Sequence, residues 1–356
     1  MTKNATTQPE LFSSAKPAPA RGGRETMNGK PVFSVPSKTV INFDSGFSHK
    51  LLCDGPTFST GMACAYSCSF CYVPDMMRKL VPWLSQHGAD GAHEDIVVRR
   101  LNALGIMRQQ LTDRNGSPKF NGPEQQGRVI YASPSVDVAA NMELVRETVE
   151  ACALILQLTR WDIRLLSKST LLPQVAEGLD AHPVAGKLKP ALRVIYGVST
   201  GTLNDPLAKA FEAGTPLVSK RIASLHKLQD AGCRTYGMLC PSLPQAGDDY
   251  SSMAREMRDA IRPDKCEHVW GEVINVRGES MTRTVDALRG GGFADNADAL
   301  LAVSGDSAKW EAYARATFEA HVNAGYAPGQ FRFLQYVNAS NREWWKAREN
   351  IGAILL

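Results

Sequence analysis

The chain has 356 residues, 40 Lys and Arg against 36 Asp and Glu, and 44% hydrophobic residues, ample to bury a core in one large domain or two modest ones. Its net charge of +4 resides in residues 1–40, where Lys3, Lys16, Arg21, Arg24, Lys30 and Lys38 face only Glu10 and Glu25, so a polybasic, histone-like body is excluded. The longest apolar run, Ala151–Leu158, is far short of the ~20 residues of a membrane-spanning helix, eight cysteines are too sparse for a disulfide scaffold, and the N-terminal bases precede no apolar signal segment, so the expected compartment is the cytoplasm.

In chain order, residues 1–40 read as a disordered basic arm punctuated by Pro9, Pro17, Pro19, Pro31 and Pro36. Residues 41–280 read as a core domain and 281–356 as a C-terminal cap or closure segment. Within the core, short β-branched runs predict strands over Thr57–Gly61, Arg128–Ser133, Asp162–Ser167, Leu192–Ser199, Arg234–Cys240 and His268–Asn275. Between them, apolar spacing predicts helices over 98–113, 139–159, 170–180, 216–230 and 249–261. The long connection from Tyr72 to Gln126 holds one clear helix. Beyond residue 280 lie a Gly-rich loop (Gly290–Gly292), a helix over 307–323, a strand over Phe331–Val337 and a terminal helix. Strands alternating with helices require parallel pairing by crossovers. The expected fold is α/β, a partial (β/α)6 TIM-type barrel with reactive groups at the C-terminal strand ends. A doubly wound sheet is the rival, and periodicity alone does not separate the two.

Directly after the first strand stands Cys64-Ala-Tyr-Ser-Cys68-Ser-Phe-Cys71, a C-x3-C-x2-C spacing. A chain of this composition produces it by chance about 0.004 times. Such thiols bind a metal or a cluster, or are spare core cysteines. Zinc normally takes four ligands from paired Cys/His sets, and no His or Cys follows at suitable spacing. An electron-transfer 4Fe–4S cluster also takes four cysteines. A cluster held by three leaves one iron open.

On this motif the chain resembles the radical SAM superfamily, in which an aromatic residue, here Phe70, precedes the last cysteine. It is similar to the spore photoproduct lyase-like branch in Val129–Asp137, Arg164–Ser169, Val198–Leu203, Phe211–Gly214 and Arg221–Gly232, covering about residues 57–280. The resemblance implies that the open iron of a 4Fe–4S cluster on Cys64, Cys68 and Cys71 chelates S-adenosylmethionine (SAM). Electron transfer from the cluster then cleaves the sulfonium to a 5′-deoxyadenosyl radical, which abstracts hydrogen from a substrate. The electron comes from a donor of flavodoxin or ferredoxin type. The preferred substrate class is nucleic acid, in repair or modification. The alternatives are a small metabolite or protein side chain, or an iron–sulfur sensor that binds nucleic acid without turnover. Two departures stand out. Phe58–Ala63 replaces the branch's Asn-Pro-Tyr-x-Gly, and residues 129–137 lack the cysteine that serves the DNA-repair lyase as hydrogen donor.

Ser133, Ser135 and Asp137 end the second strand; they are either N-cap residues or, by resemblance, contacts to the SAM ribose or amino group. Lys168 ends the third strand, where it pairs with the SAM carboxylate or stays solvated. Ser199 ends the fourth strand as a SAM or substrate contact, or as a loop residue satisfying its own backbone. Glu272 is a carboxylate among apolar neighbours and needs a partner, in a structural salt bridge or on substrate or cofactor. Alternation places Tyr236, Met238 and Cys240 on one strand face and Leu239 on the other. Cys240 is then a hydrogen-atom donor at the mouth, or a small hydrophobe before Pro241. Trp344 and Trp345, with Arg342, Lys346 and Arg348, either stack on nucleic-acid bases or anchor the terminal helix, the preferred reading.

Overall fold

The computed structural model describes residues 25–244, 249–275 and 278–356. At its centre is a parallel sheet with strands β1 (Thr57–Phe58), β2 (Val129–Ala132), β3 (Asp162–Ser167), β4 (Val194–Ser199), β5 (Arg234–Ser242), β6 (Cys266–Val273), β7 (Phe331–Gln335) and β8 (Ala353–Leu355). They lie side by side in chain order, and Ile41–Asn42 adds an antiparallel edge beside β1. A doubly wound sheet reverses its strand order at a switch point. No reversal occurs here, which sets the rival aside. Among the described residues β8 and the Ile41–Asn42 edge do not pair, so no closed ring of hydrogen bonds forms. None of the described helices is long and apolar enough to cross a membrane.

Parallel neighbours are reached through crossover helices: Met142–Leu158 between β2 and β3, Leu172–Ala181 before β4, Val218–Asp230 before β5 and Tyr250–Ile261 before β6. Alternating side chains divide the core into two layers. Ile163, Leu165, Val194, Val198, Leu239 and Val269 face the helices in the main cluster. Tyr131, Ile195, Tyr236, Met238, Trp270 and Leu334 form a second cluster on the opposite, inner face, together with Leu52 and Cys53. Each such buried apolar side chain contributes roughly 1.5–3 kcal/mol. Arg164, buried on the inner face, donates to the carbonyls of Leu51 and Leu52 and lies over the Trp270 ring. Trp270 Nε1 donates to the Lys50 carbonyl at 2.9 Å. The segment before β1 is therefore stitched to the inner face.

Several expectations change. The strand predicted over Thr57–Gly61 splits, and Gly61–Ala63 joins a separate small sheet with Val97–Arg100, Lys30–Val35 and Thr26–Met27. A Cβ on Gly61 would stand 2.9 Å from the Val98 carbonyl oxygen, so glycine permits that approach. The helix predicted over 98–113 begins too early: Val97–Arg100 is a strand with Val97 and Val98 buried in the small sheet, and the helix starts at Ala103 after Asn102, whose φ is +53°. Residues 1–24 of the expected arm lie outside the described residues, whereas Lys30–Val35 is a strand rather than disordered chain. The connection from Tyr72 holds two further short helices, Val73–Met77 and Val81–Gln86. Within residues 281–356, read as a cap or closure segment, β7 and β8 extend the main sheet in parallel. Trp345 is fully buried, stacks on Phe333 and donates to Glu311 at 2.8 Å, anchoring its helix.

Candidate active site

The cysteine loop leaves the small sheet at Ala63 and is fastened from several directions. Ser67–Cys68 pairs antiparallel with Glu212–Ala213, setting Cys68 opposite Glu212. Lys30 Nζ donates to the carbonyls of Cys64 and Tyr66 at 3.2 and 3.0 Å. Arg283 donates to the carbonyls of Ser69 and Cys71 at 3.3 and 3.4 Å. Cys64 Sγ accepts from the backbone N–H groups of Tyr66 (3.5 Å) and Asp137 (3.3 Å). The three cysteines are half-buried and unbridged.

Burial, with the Asp137 charge adding to it, pushes the Cys64 thiol up to about 11, and burial raises Cys68 and Cys71 as well. Lys168, Arg283 and Lys30 act on Cys71 in the opposite sense. Metal ligation requires the thiolate. Three thiols within one loop, N–H donors aimed at sulfur and three cations nearby therefore fit an anionic three-thiolate cluster. Cys68 and Cys71 also line a cavity of about 430 Å³ with Tyr66, His93 and Arg283. Among the described residues no three His, Cys, Asp or Glu side chains close around a single ion. A cluster spreads its thiolates over separate irons and does not need that geometry.

Of the two readings of the loop after β2, the N-cap is not what it forms. The following helix starts at Met142 and is capped by Asn141. Asp137 instead accepts from Ser167 Oγ (2.8 Å), Lys168 N (2.7 Å) and Ala139 N (2.9 Å), tying the end of β2 to the end of β3. Burial raises the Asp137 carboxyl although these donors oppose the shift. Ser133 Oγ donates to Ser59 Oγ at 2.9 Å, and Ser135 N donates to the same oxygen at 3.3 Å.

Lys168 is the hub of the strand ends. Its Nζ donates to Ser199 Oγ at 3.2 Å, lies 5.5 Å from the Phe70 ring centre and pairs with Glu212 at 3.8 Å. Burial alone would lower the Lys168 ammonium, but the charges of Glu212, Cys68 and Cys240 outweigh it and raise the group. Glu212, itself buried, stands 2.5 Å from fully buried Arg221, with hydrogen-bond geometry in neither contact. Arg221 donates to the Ser199 carbonyl at 3.1 Å. Ser199 Oγ donates to the Cys240 carbonyl at 3.0 Å. Next to it, a Cβ on Gly201 would meet the Pro241 carbonyl oxygen at 1.5 Å, so only glycine lets β4 and β5 end so close together.

Cys240 packs with the inner cluster while Leu239 faces the helices, the orientation that alternation predicts. Its Sγ lies 3.7 Å from Glu272 Oε2, and Lys50 Nζ lies 3.4 Å from Glu272 Oε1. Burial first, then the Glu272 charge, pushes the Cys240 thiol up to about 12, which keeps it as S–H at neutral pH. The cysteine loop, Lys168, Ser199, Cys240 and Glu272 thus follow one another across the strand ends from β3 to β6. Ser133, Ser135 and Asp137 stand beside them through Ser59 and Cys64.

Sequence reading gave no site role to Lys30, Lys50, Ser59, Glu212 or Arg221. Glu212 carries the signal that singled out Glu272, an acid between Phe211 and Ala213. Lys30 carries none, because its partners lie 34 and 36 residues away.

Fold and site together define an α/β protein whose singly wound parallel sheet carries a three-cysteine loop beside its strand ends. No family model matches the chain, and no curated protein does so. Among solved structures it is similar to spore photoproduct lyase. A cysteine-to-serine mutant of that lyase matches with TM-score 0.50 and 14% identity, covering 75% of this chain and 71% of that one. A cysteine-to-alanine mutant with dinucleoside spore photoproduct matches with TM-score 0.51 and 12% identity, covering 74% and 67%. At such identity the likeness is one of fold, and the chain spans about two thirds of the length of the lyase chains.

Proposed function

We propose that the chain is a radical SAM enzyme that acts on nucleic acid. The observation that supports this most is the C-x3-C-x2-C loop, fastened beside the ends of a singly wound parallel sheet with N–H donors and cations directed at it. Cys64, Cys68 and Cys71 would hold a 4Fe–4S cluster with SAM at its open iron, and together these supply a 5′-deoxyadenosyl radical. Lys168 and Ser199 bind the SAM carboxylate by charge-assisted and neutral hydrogen bonds. Ser133 and Ser135 contact its amino group or ribose, and Asp137 positions Lys168 through the backbone. Cys240 returns a hydrogen atom from its S–H to the substrate radical, and an external thiol then restores the thiyl. Burial and, after it, Glu272 keep Cys240 protonated, and Glu272 faces the substrate. Nucleic acid is the favoured substrate because the lyase sharing this fold binds a dinucleoside. The electron comes from a flavodoxin- or ferredoxin-type donor.

Anaerobic reconstitution tests this reading. The protein should take up about four irons per chain and, with dithionite and SAM, release 5′-deoxyadenosine. Alanine at Cys64, Cys68 or Cys71 should abolish both. A protein that holds the cluster and binds oligonucleotides but leaves SAM intact would be a sensor. One that cleaves SAM without binding oligonucleotides would act on a metabolite or a protein side chain.

A further inference from the structure

On the far side of Cys240 from the cysteine loop, the ends of β6 and β7 open a cavity of about 290 Å³. That size lies at the lower edge of the ~300–1,000 Å³ range of small-molecule sites, room for one compact ring system. Glu272, Asn275, Leu334, Gln335, Tyr336 and Trp310 line it, so aromatic and aliphatic surfaces adjoin a carboxylate and two amides. Tyr336 is 40% exposed, and Lys50 Nζ sits 5.4 Å from its ring centre.

Glu272 is the anchored polar group of the cavity. Its side chain is only 12% exposed, and each oxygen has a fixed neighbour: Lys50 Nζ at Oε1 and the Cys240 thiol at Oε2. An ionised carboxylate offers about four acceptor positions and no donor. These two contacts leave acceptor capacity for a ligand that brings adjacent donors. Lys50, beside it, is a donor only. Burial would lower the Lys50 ammonium, but Glu272 and Tyr336 outweigh it and keep it charged. Lys50 does not itself line the cavity; seated against Glu272 and Tyr336, which do, it sets a donor next to the double acceptor.

Among the bases, guanine carries the complement: the O6 acceptor, then the ring N–H and the exocyclic amino group. Cytosine and adenine place a ring acceptor beside their amino group. Thymine offers one N–H between two carbonyls, which a carboxylate repels. We propose that this cavity binds one unpaired guanine-type nucleobase, with Lys50 and Glu272 on its acceptor–donor–donor edge and Tyr336 and Trp310 against its faces. The assignment rests on the nucleic-acid reading above and names the base. It sets the bound base next to the Cys240 thiol.

Calorimetric titration of the full chain with guanosine, adenosine, cytidine and thymidine tests it. Guanosine should bind at least ~10-fold tighter than thymidine, the discrimination one good bidentate contact provides. Glu272→Gln, which replaces an acceptor by a donor, should abolish that preference, and Lys50→Met should weaken guanosine most. Tyr336→Ala should weaken all four nucleosides alike. Thermal melts establish that each variant is folded. Thymidine binding as tight as guanosine, no nucleoside binding, or a guanosine preference that survives Glu272→Gln would each overturn the assignment. SAM cleavage by the same preparations separates the two readings. Cleavage without guanosine preference removes only the base pocket, and guanosine preference without cleavage removes only the radical chemistry.

Discussion

Cys240 was legible in the sequence because alternation along one strand fixes which way a residue faces, and its neighbours Met238 and Leu239 fall on opposite layers as that rule requires. What no strand pattern reveals is Glu272 at 3.7 Å, since that contact joins two neighbouring strands across 32 residues of chain. With the thiol held as S–H, Cys240→Ala is expected to leave 5′-deoxyadenosine release within about twofold of wild type while the substrate-derived product is lost or diverted. Product analysis under anaerobic turnover reads this, and an unchanged product and rate would exclude the donor role. A second residue-scale expectation concerns His321, fully buried, stacked on Phe331 and without a hydrogen-bond partner at either ring nitrogen among the described residues. Burial lowers it from 6.5 to about 4. Its neutral form is therefore favoured in the fold. The stability it contributes is complete above pH 6.5 and is lost as pH falls toward 4, by about 3 kcal/mol at most. Urea unfolding at pH 7 and pH 4.5 should show a smaller acid loss in His321→Phe than in wild type. Equal losses would show that this ring does not drive acid destabilisation.

At the scale of elements, the cysteine loop is held by pieces far apart in the chain. Lys30 comes from the small sheet, Glu212 from a two-residue strand and Arg283 from the helix Glu279–Gly290. The spacing of Cys64, Cys68 and Cys71 was readable because its chemistry is local. Its clamps were not, because Lys30 falls in a Pro- and Gly-rich stretch that reads as disordered. Val97–Arg100 was obscured differently: it runs into the helix Ala103–Leu111 without a Gly or Pro between them. Lys30 puts positive charge beside Cys64 and Cys68. Lys30→Met should make the reduction potential of a reconstituted cluster more negative, on the order of tens of millivolts. Redox titration followed by electron paramagnetic resonance measures the shift. An unchanged potential with full iron content would leave Lys30 a purely mechanical clamp.

For the whole molecule, parallel pairing by crossovers was legible from the alternation of strands and helices, with Asp162–Ser167 matching in both bounds, whereas the chain-order winding was not, because a doubly wound sheet alternates in the same way. β7 was legible as a strand but β8 was not, because β8 has only three residues and follows β7 after 17 intervening residues. Charge belongs to this scale too. Residues 1–24 hold four bases and one acid, whereas the rest of the chain is almost balanced. Since Lys30–Val35 belongs to the fold, a truncation that tests the arm must stop at residue 24. It should leave SAM cleavage unchanged while reducing the salt dependence of oligonucleotide binding, by about 0.7 in log–log slope per lost phosphate contact on single strands. An unaltered slope would mean that the arm touches no phosphate. The most direct test of the molecule's chemistry is the mass of 5′-deoxyadenosine recovered after anaerobic reaction of the reconstituted, reduced protein with SAM and a deuterated single-stranded oligonucleotide. Deuterium in the recovered 5′-deoxyadenosine is the expected result, with no product at all from Cys68→Ala. Intact SAM after incubation of the fully loaded wild type would contradict it.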